Sequence, residues 1–256
     1  MDVSAIPGIL QELGGTDQAR AFKAAQALRF ACYGLADPAK ARERAAFAAA
    51  LAAELNATVT PAPKNEKNDP NARPQPVPKY ETKVRNSLLR ALALVGGEAE
   101  VPEIARTLRD LDLREMARYA LERNPSKAAT AALIAAVDAS GPEFRIGVIN
   151  ALAKRPAADV LATLRGLTGD DDPEVRLAAV EALAGFAQPD SDAVMAVAAR
   201  RFSGRQRDRV AKARLRLAET LRDHGDKVSA RQILQRVARE LPLRKDTIDA
   251  WAKSLE

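Results

Sequence analysis

Cysteine and histidine occur once each, as Cys32 and His224. A zinc or iron centre needs several thiolate, imidazole or carboxylate ligands at defined spacing, so no metal is expected. A single cysteine cannot close an internal disulfide, which fits a reducing compartment and a cytoplasmic location. Neither residue lies in a nucleophile or base motif. Cys32 stands among Phe30, Ala31 and Leu35 and reads as a buried small hydrophobe, and His224 reads as a turn residue. Glycine is also sparse, at 13 residues with no GxxxxGK[ST] or GxGxxG, so no nucleotide or other cofactor is expected. With no catalytic residue to name, the chain reads as non-enzymatic.

Long apolar runs are missing too. The longest uncharged runs, residues 45–53 and 128–137, are about half of the ~18 apolar residues that a membrane span requires. The N-terminal MDVSAIPGILQELGG shows no basic region followed by an apolar core and a cleavage site, so no signal peptide is expected. Aromatic residues make up only 4%, and no stretch alternates apolar with polar side chains as a half-buried strand would. The 47% hydrophobic content is dominated by Ala and Leu, which are strong helix formers. An all-α class follows.

What the sequence does have is a repeat. An apolar residue followed by Arg recurs at Val84-Arg85, Leu113-Arg114, Phe144-Arg145 and Val175-Arg176, with separations of 29, 31 and 31 residues. Four positions on stand Leu88, Ala117, Val148 and Ala179. At seven and eight stand Ala91-Leu92, Ala120-Leu121, Ala151-Leu152 and Ala182-Leu183. Offsets of 0, 4, 7 and 8 trace one face of a helix. A breaker then follows, at Gly96, Pro125, Pro156 and, slightly later, Pro189. Twenty positions after each anchor comes Ile104, Leu133, Leu164 or Met195, inside a second apolar-periodic stretch. Each unit is thus helix, turn, helix, with one apolar face that only stacking against its neighbours can bury.

The stretch GDDDPEVRLAAVEALAGFAQPDSDAVMAVAA resembles a HEAT repeat, in particular the short bacterial type of phycobilisome-lyase-like proteins, and residues 80–203 hold about four such copies. The resemblance implies a right-handed α-solenoid of stacked antiparallel helical hairpins. It also bears on the repeated arginines, because in HEAT repeats this position commonly pairs with acids of neighbouring hairpins. Arg85, Arg114, Arg145 and Arg176 are accordingly expected to form a structural ladder with Asp110, Asp112, Asp171 and Asp172 in the inter-repeat turns. The iron-binding hydroxylases of this repeat class carry paired His-Glu motifs that do not occur here.

The flanks differ. Residues 1–56 read as an N-terminal capping or divergent hairpin, with helices over 16–35 and 38–55 and Phe22, Ala25, Leu28, Cys32 and Leu35 near helical spacing. Residues 57–79 form a linker with six prolines up to Pro78 and few large apolar residues, expected to be mobile or extended. Residues 204–256 read as a hairpin over 208–223 and 227–241 and a last helix over 247–255 carrying Ile248 and Trp251. Leu217, Ala218, Leu221, Gly225, Ala230, Leu234, Val237 and Pro242 resemble one tetratricopeptide repeat.

The net charge of +6 is unevenly placed, because residues 200–245 hold fifteen Lys or Arg against five Asp or Glu. Arg200, Arg201, Arg205, Arg207, Arg209 and Lys212 converge on one turn and a helix start, the candidate anion-binding residues. The leading functional expectation is a scaffold that binds a protein or peptide partner through the second helix of each hairpin. The alternatives are weak nucleic-acid or other polyanion binding through the basic segment, for which only Trp251 would serve as a stacking platform, and a lyase-like or chaperone-like role on a tetrapyrrole protein. No membrane insertion is expected.

Overall fold

The structure is a computed structural model and describes residues 2–60, 75–138, 141–240 and 245–255. Its chain divides into two compact units, Met1–Ala132 and Leu133–Glu256. Both are built of antiparallel helical hairpins, and the chain is an all-α hairpin array as the repeat implied.

Unit 1 opens with α1 (Ile6–Gly14), α2 (Gln18–Gly34) and α3 (Ala41–Leu55). The first of these was not expected. Ile6, Leu10 and Leu13 are nonetheless buried at helical spacing, a pattern already present in the sequence. Asp17 starts α2 by accepting hydrogen bonds from Ala19 N at 2.9 Å and Arg20 N at 3.1 Å. The buried side of α2 is Ala24, Leu28 and Cys32. Phe22, expected with that set, is instead 63% exposed, because it lies on the opposite side of the helix.

At the ends of the proline-rich segment, Thr58–Val59 (β1) and Val77–Pro78 (β2) pair antiparallel. Lys79 fastens this stem, its N–H donating to Ala57 O and its Nζ lying 2.8 Å from Glu54 Oε2. Residues 61–74, the bulk of the expected linker, lie outside the described residues. Then come α4 (Thr82–Val95), the short α5 (Val101–Arg106) and α6 (Arg114–Arg123). Helix α4 packs against α2, α3 and α6. It stops at Gly96, where any Cβ would stand 2.6 Å from Leu92 O.

The two units divide within α7 (Lys127–Asp138). Unit 2 continues with α8 (Pro142–Leu152), α9 (Ala157–Leu167), α10 (Pro173–Leu183) and α11 (Ser191–Ala199). It ends with α12 (Gly204–Asp223), α13 (Lys227–Glu240) and α14 (Lys245–Lys253). First helices α8, α10 and α12 lie side by side in that order, and α13 bridges α12 and α14. Pro173 at the first turn and the Asp172 carboxylate, bonded to Glu174 N and Val175 N, start α10. Helix α12 begins four residues earlier than expected, through Gly204 at φ 50°. It ends in a Schellman turn at Gly225, whose φ of 89° lets its own N–H reach Arg222 O while Asp226 N reaches Leu221 O.

All the anchor positions of the repeat are buried, from Val84, Leu88 and Leu92 in the first copy to Val175, Ala179 and Leu183 in the fourth. So are the second-helix positions Ile104, Leu133, Leu164 and Met195. The periodicity therefore marks the side that the hairpins bury within each unit.

Candidate functional site

The repeated arginines act on the turns between hairpins. In unit 1, Arg85 Nη1 lies 2.9 Å from Asp110 Oδ2, while its Nε donates to Leu55 O at 3.1 Å. In unit 2, Arg145 does the same with different partners, reaching Asp170 Oδ2 at 2.5 Å and Val137 O at 3.1 Å. Both acids lie 25 positions after their arginine, and each uses its second oxygen on the N–H two residues on, Asp112 or Asp172. One guanidinium thus ties the end of the preceding helix to the turn before the following hairpin.

The acid facing Arg145 is Asp170, not Asp171 or Asp172, since the Asp172 carboxylate is occupied as the cap of α10 and Asp171 offers its backbone carbonyl to Arg176. Asp112 takes part through its N–H. Arg176 has no acid 25 positions on, because that residue is Arg201. It turns back to Asp170 O and Asp171 O at 2.7 and 2.9 Å and stacks its guanidinium 5.2 Å from the Phe202 ring centre. Arg114 occupies the same register position at the start of α6.

The basic segment is divided by its contacts. Arg209 spans Glu181 with two hydrogen bonds of 2.8 and 3.0 Å, and a second acid, Glu174, lies 3.6 Å away; these partners hold its guanidinium above the ordinary value. Arg201 donates to Gly169 O at 2.9 Å. Arg200, Arg205, Arg207 and Lys212 are exposed. Of the six candidate anion-binding residues, four therefore face solvent without a side-chain partner among the described residues, and two tie the start of α12 and the residues before it to α10 and its preceding turn.

Sequence reasoning missed a buried ion network. Arg214 of α12, 1% exposed, donates from Nε to Asp192 Oδ1 at 2.6 Å and from Nη2 to Oδ2 at 3.3 Å. Its Nη1 reaches Glu240 Oε2 at 2.6 Å, and Arg236 Nε reaches Asp192 Oδ2 at 2.8 Å. Burial works against the charge of Arg214, but its hydrogen bonds to Asp192 and then Glu240 outweigh that and raise its pKa. A signal was available for one partner: Arg214 stands four positions after Val210 and seven before Leu221, on the side of α12 that carries Leu217.

The second helices of unit 2 turn a different kind of surface outward. Exposed positions recur at intervals of 35 residues, as Ala158, Ala193 and Val228 in one row and Ala162, Val197 and Gln232 in the next. Val197 and Val228 are 61% and 60% exposed. None of these six residues carries a charge, although 29% of the chain does. Arg200 borders the rows at the end of α11.

Among the described residues no group of His, Cys, Asp or Glu is placed to hold a metal ion, and no helix is long and apolar enough to cross a membrane. Cys32 is buried, and desolvation pushes its thiol up to about 11.

Residues 130–213 match the family model described as HEAT repeats. No curated protein matches the sequence. Among solved structures, the complex of CpcE and CpcF of phycocyanin lyase from Nostoc sp. PCC7120 is similar, at 18% identity over 97% of this chain and 93% of that one, with a TM-score of 0.42. One expectation is corrected here. The chain was read as non-enzymatic because it lacks metal, nucleotide and nucleophile motifs, whereas the matched complex is named as a lyase.

Proposed function

We propose that the chain binds a protein partner through the exposed sides of α9, α11 and α13 in unit 2. The observation that carries this reading is the pair of uncharged rows, Ala158, Ala193, Val228 and Ala162, Val197, Gln232. The centres of protein interfaces are depleted of charge, and small side chains let a partner's backbone approach closely. Val197 stands in the middle, where truncation or a charge does most damage. Arg200, free of side-chain partners among the described residues, supplies a polar rim at one end.

The test is affinity capture from the source organism with Val197→Asp and Arg207→Gln variants alongside the parent. A partner lost with Val197→Asp and retained with Arg207→Gln supports the reading. A partner that ignores Val197→Asp contradicts it.

A further inference from the structure

Helix α2 carries a second surface, in unit 1 and unrelated to the rows above. Phe22, Phe30 and Tyr33 are 63%, 67% and 56% exposed. At 3.6 residues per turn they fall within about 80° of arc, along about 16 Å of helix. The opposite side of α2 is its buried seam, Ala24, Leu28 and Cys32. Within unit 1 α2 packs against α1 and α4, and α4 in turn against α6, so α2 ends the row α2, α4, α6 with its aromatic side turned to solvent. The end of a helical-repeat stack is normally closed by a polar outer face, because an apolar one invites association. Here that position holds three of the ten aromatic residues of the chain.

Charge selects among the possible occupants. Between Gln18 and Gly34 the helix carries Arg20, Lys23 and Arg29 and no acid. Arg20 lies 3.5 Å from the capping Asp17, which leaves Lys23 and Arg29, both exposed, on either side of the aromatic stripe. A second copy packed α2 against α2 would set these cations against each other, a juxtaposition that opposes binding. A helix laid alongside α2, as α4 lies on its other side, would meet the aromatics with its own apolar stripe and the cations with flanking carboxylates. We propose that this face of α2 docks an acidic amphipathic helix of another protein.

The probe is a synthetic 18-residue amphipathic helix with leucines on one face flanked by glutamates, compared with the same peptide flanked by lysines. Binding to the full chain is followed by fluorescence anisotropy. The glutamate peptide is expected to bind at least about tenfold more tightly than the lysine peptide, with an affinity that falls as salt is added. Phe22→Ser with Phe30→Ser should abolish binding at an unchanged unfolding temperature, since both side chains are exposed. Lys23→Glu with Arg29→Glu keeps the aromatics and should invert the preference. Equal binding of both peptides, or none, overturns the proposal. So does concentration-dependent dimerisation removed by the Phe22 and Phe30 changes. Preferential binding to vesicles of phosphatidylserine and phosphatidylcholine, lost in the same variant, would assign the face to a lipid surface instead.

Discussion

Asp192 is 2% exposed yet accepts three hydrogen bonds from two guanidinium groups. Burying a charge is tolerable only while its partners are in place, and removing one partner leaves the other uncompensated. Asp192→Ala should therefore cost about 3–5 kcal/mol, measured by urea unfolding. The paired change Asp192→Leu with Arg214→Met should cost markedly less, because no charge is left stranded. Equal loss in the two variants would mean that packing around α11, not the ion network, sets the effect. Cys32 gives a second residue-scale test. Desolvation raises its thiol to about 11, so at pH 8 the folded protein holds almost no thiolate, whereas an unfolded cysteine near the ordinary value is partly ionised. Reaction with a disulfide reagent should be slow in the native state and rapid in denaturant, and rapid native labelling would contradict its burial. That Cys32 is buried was legible from its apolar neighbours. The Asp192–Arg214 pair was legible on one side only: the register of Val210, Leu217 and Leu221 places Arg214 in a seam, but a count of charges along the chain does not name the acid it meets there.

At the scale of elements, the seam between hairpins was legible because the offsets 0, 4, 7 and 8 recur with a breaker after them, and local and long-range signals agreed. Leu121, Leu152 and Leu183, all fully buried, should each cost about 2–5 kcal/mol on change to Ala, against little for Arg205→Ala, read from chemical denaturation. Comparable losses at Arg205 would mean the buried face is misplaced. Gly225 is a turn residue with positive φ, so Gly225→Ala should destabilise by about 1–2 kcal/mol although no atom lies within 4 Å of the added Cβ. Element ends were less legible. Helix α12 starts at Gly204 through a left-handed residue, a conformation that nothing in a hydrophobic period encodes. The outward turn of Phe22 was hidden for a related reason: a five-residue helical spacing was satisfied by including it, and only the packing of α2 against α4 shows which arc is inside.

At the scale of the whole molecule, charge and function separate. The basic segment looked like a polyanion site when counted along the chain, but Arg201 and Arg209 are committed to α10 and its preceding turn, and Arg214 and Arg236 to the buried network. Of the six candidate anion-binding residues, Arg200, Arg205, Arg207 and Lys212 are left, so binding to duplex DNA should be weak and without sequence preference, and changing these four to Gln should make the slope of log affinity against log salt shallower by up to about 3.6. An unchanged slope would mean that DNA is held elsewhere on the chain. The candidate protein-binding face was legible only in part, since the second helices were identified from the repeat while their exposed rows depend on how α9, α11 and α13 lie in unit 2. Its most direct test is site-specific photo-crosslinking, with the reactive group placed at Ala162, at Val197 or, on the outer side of α12, at Glu219. Adducts to one and the same protein are expected from Ala162 and Val197 and none from Glu219. Adducts from Glu219 alone, or unrelated adducts from the two second-helix positions, would contradict it.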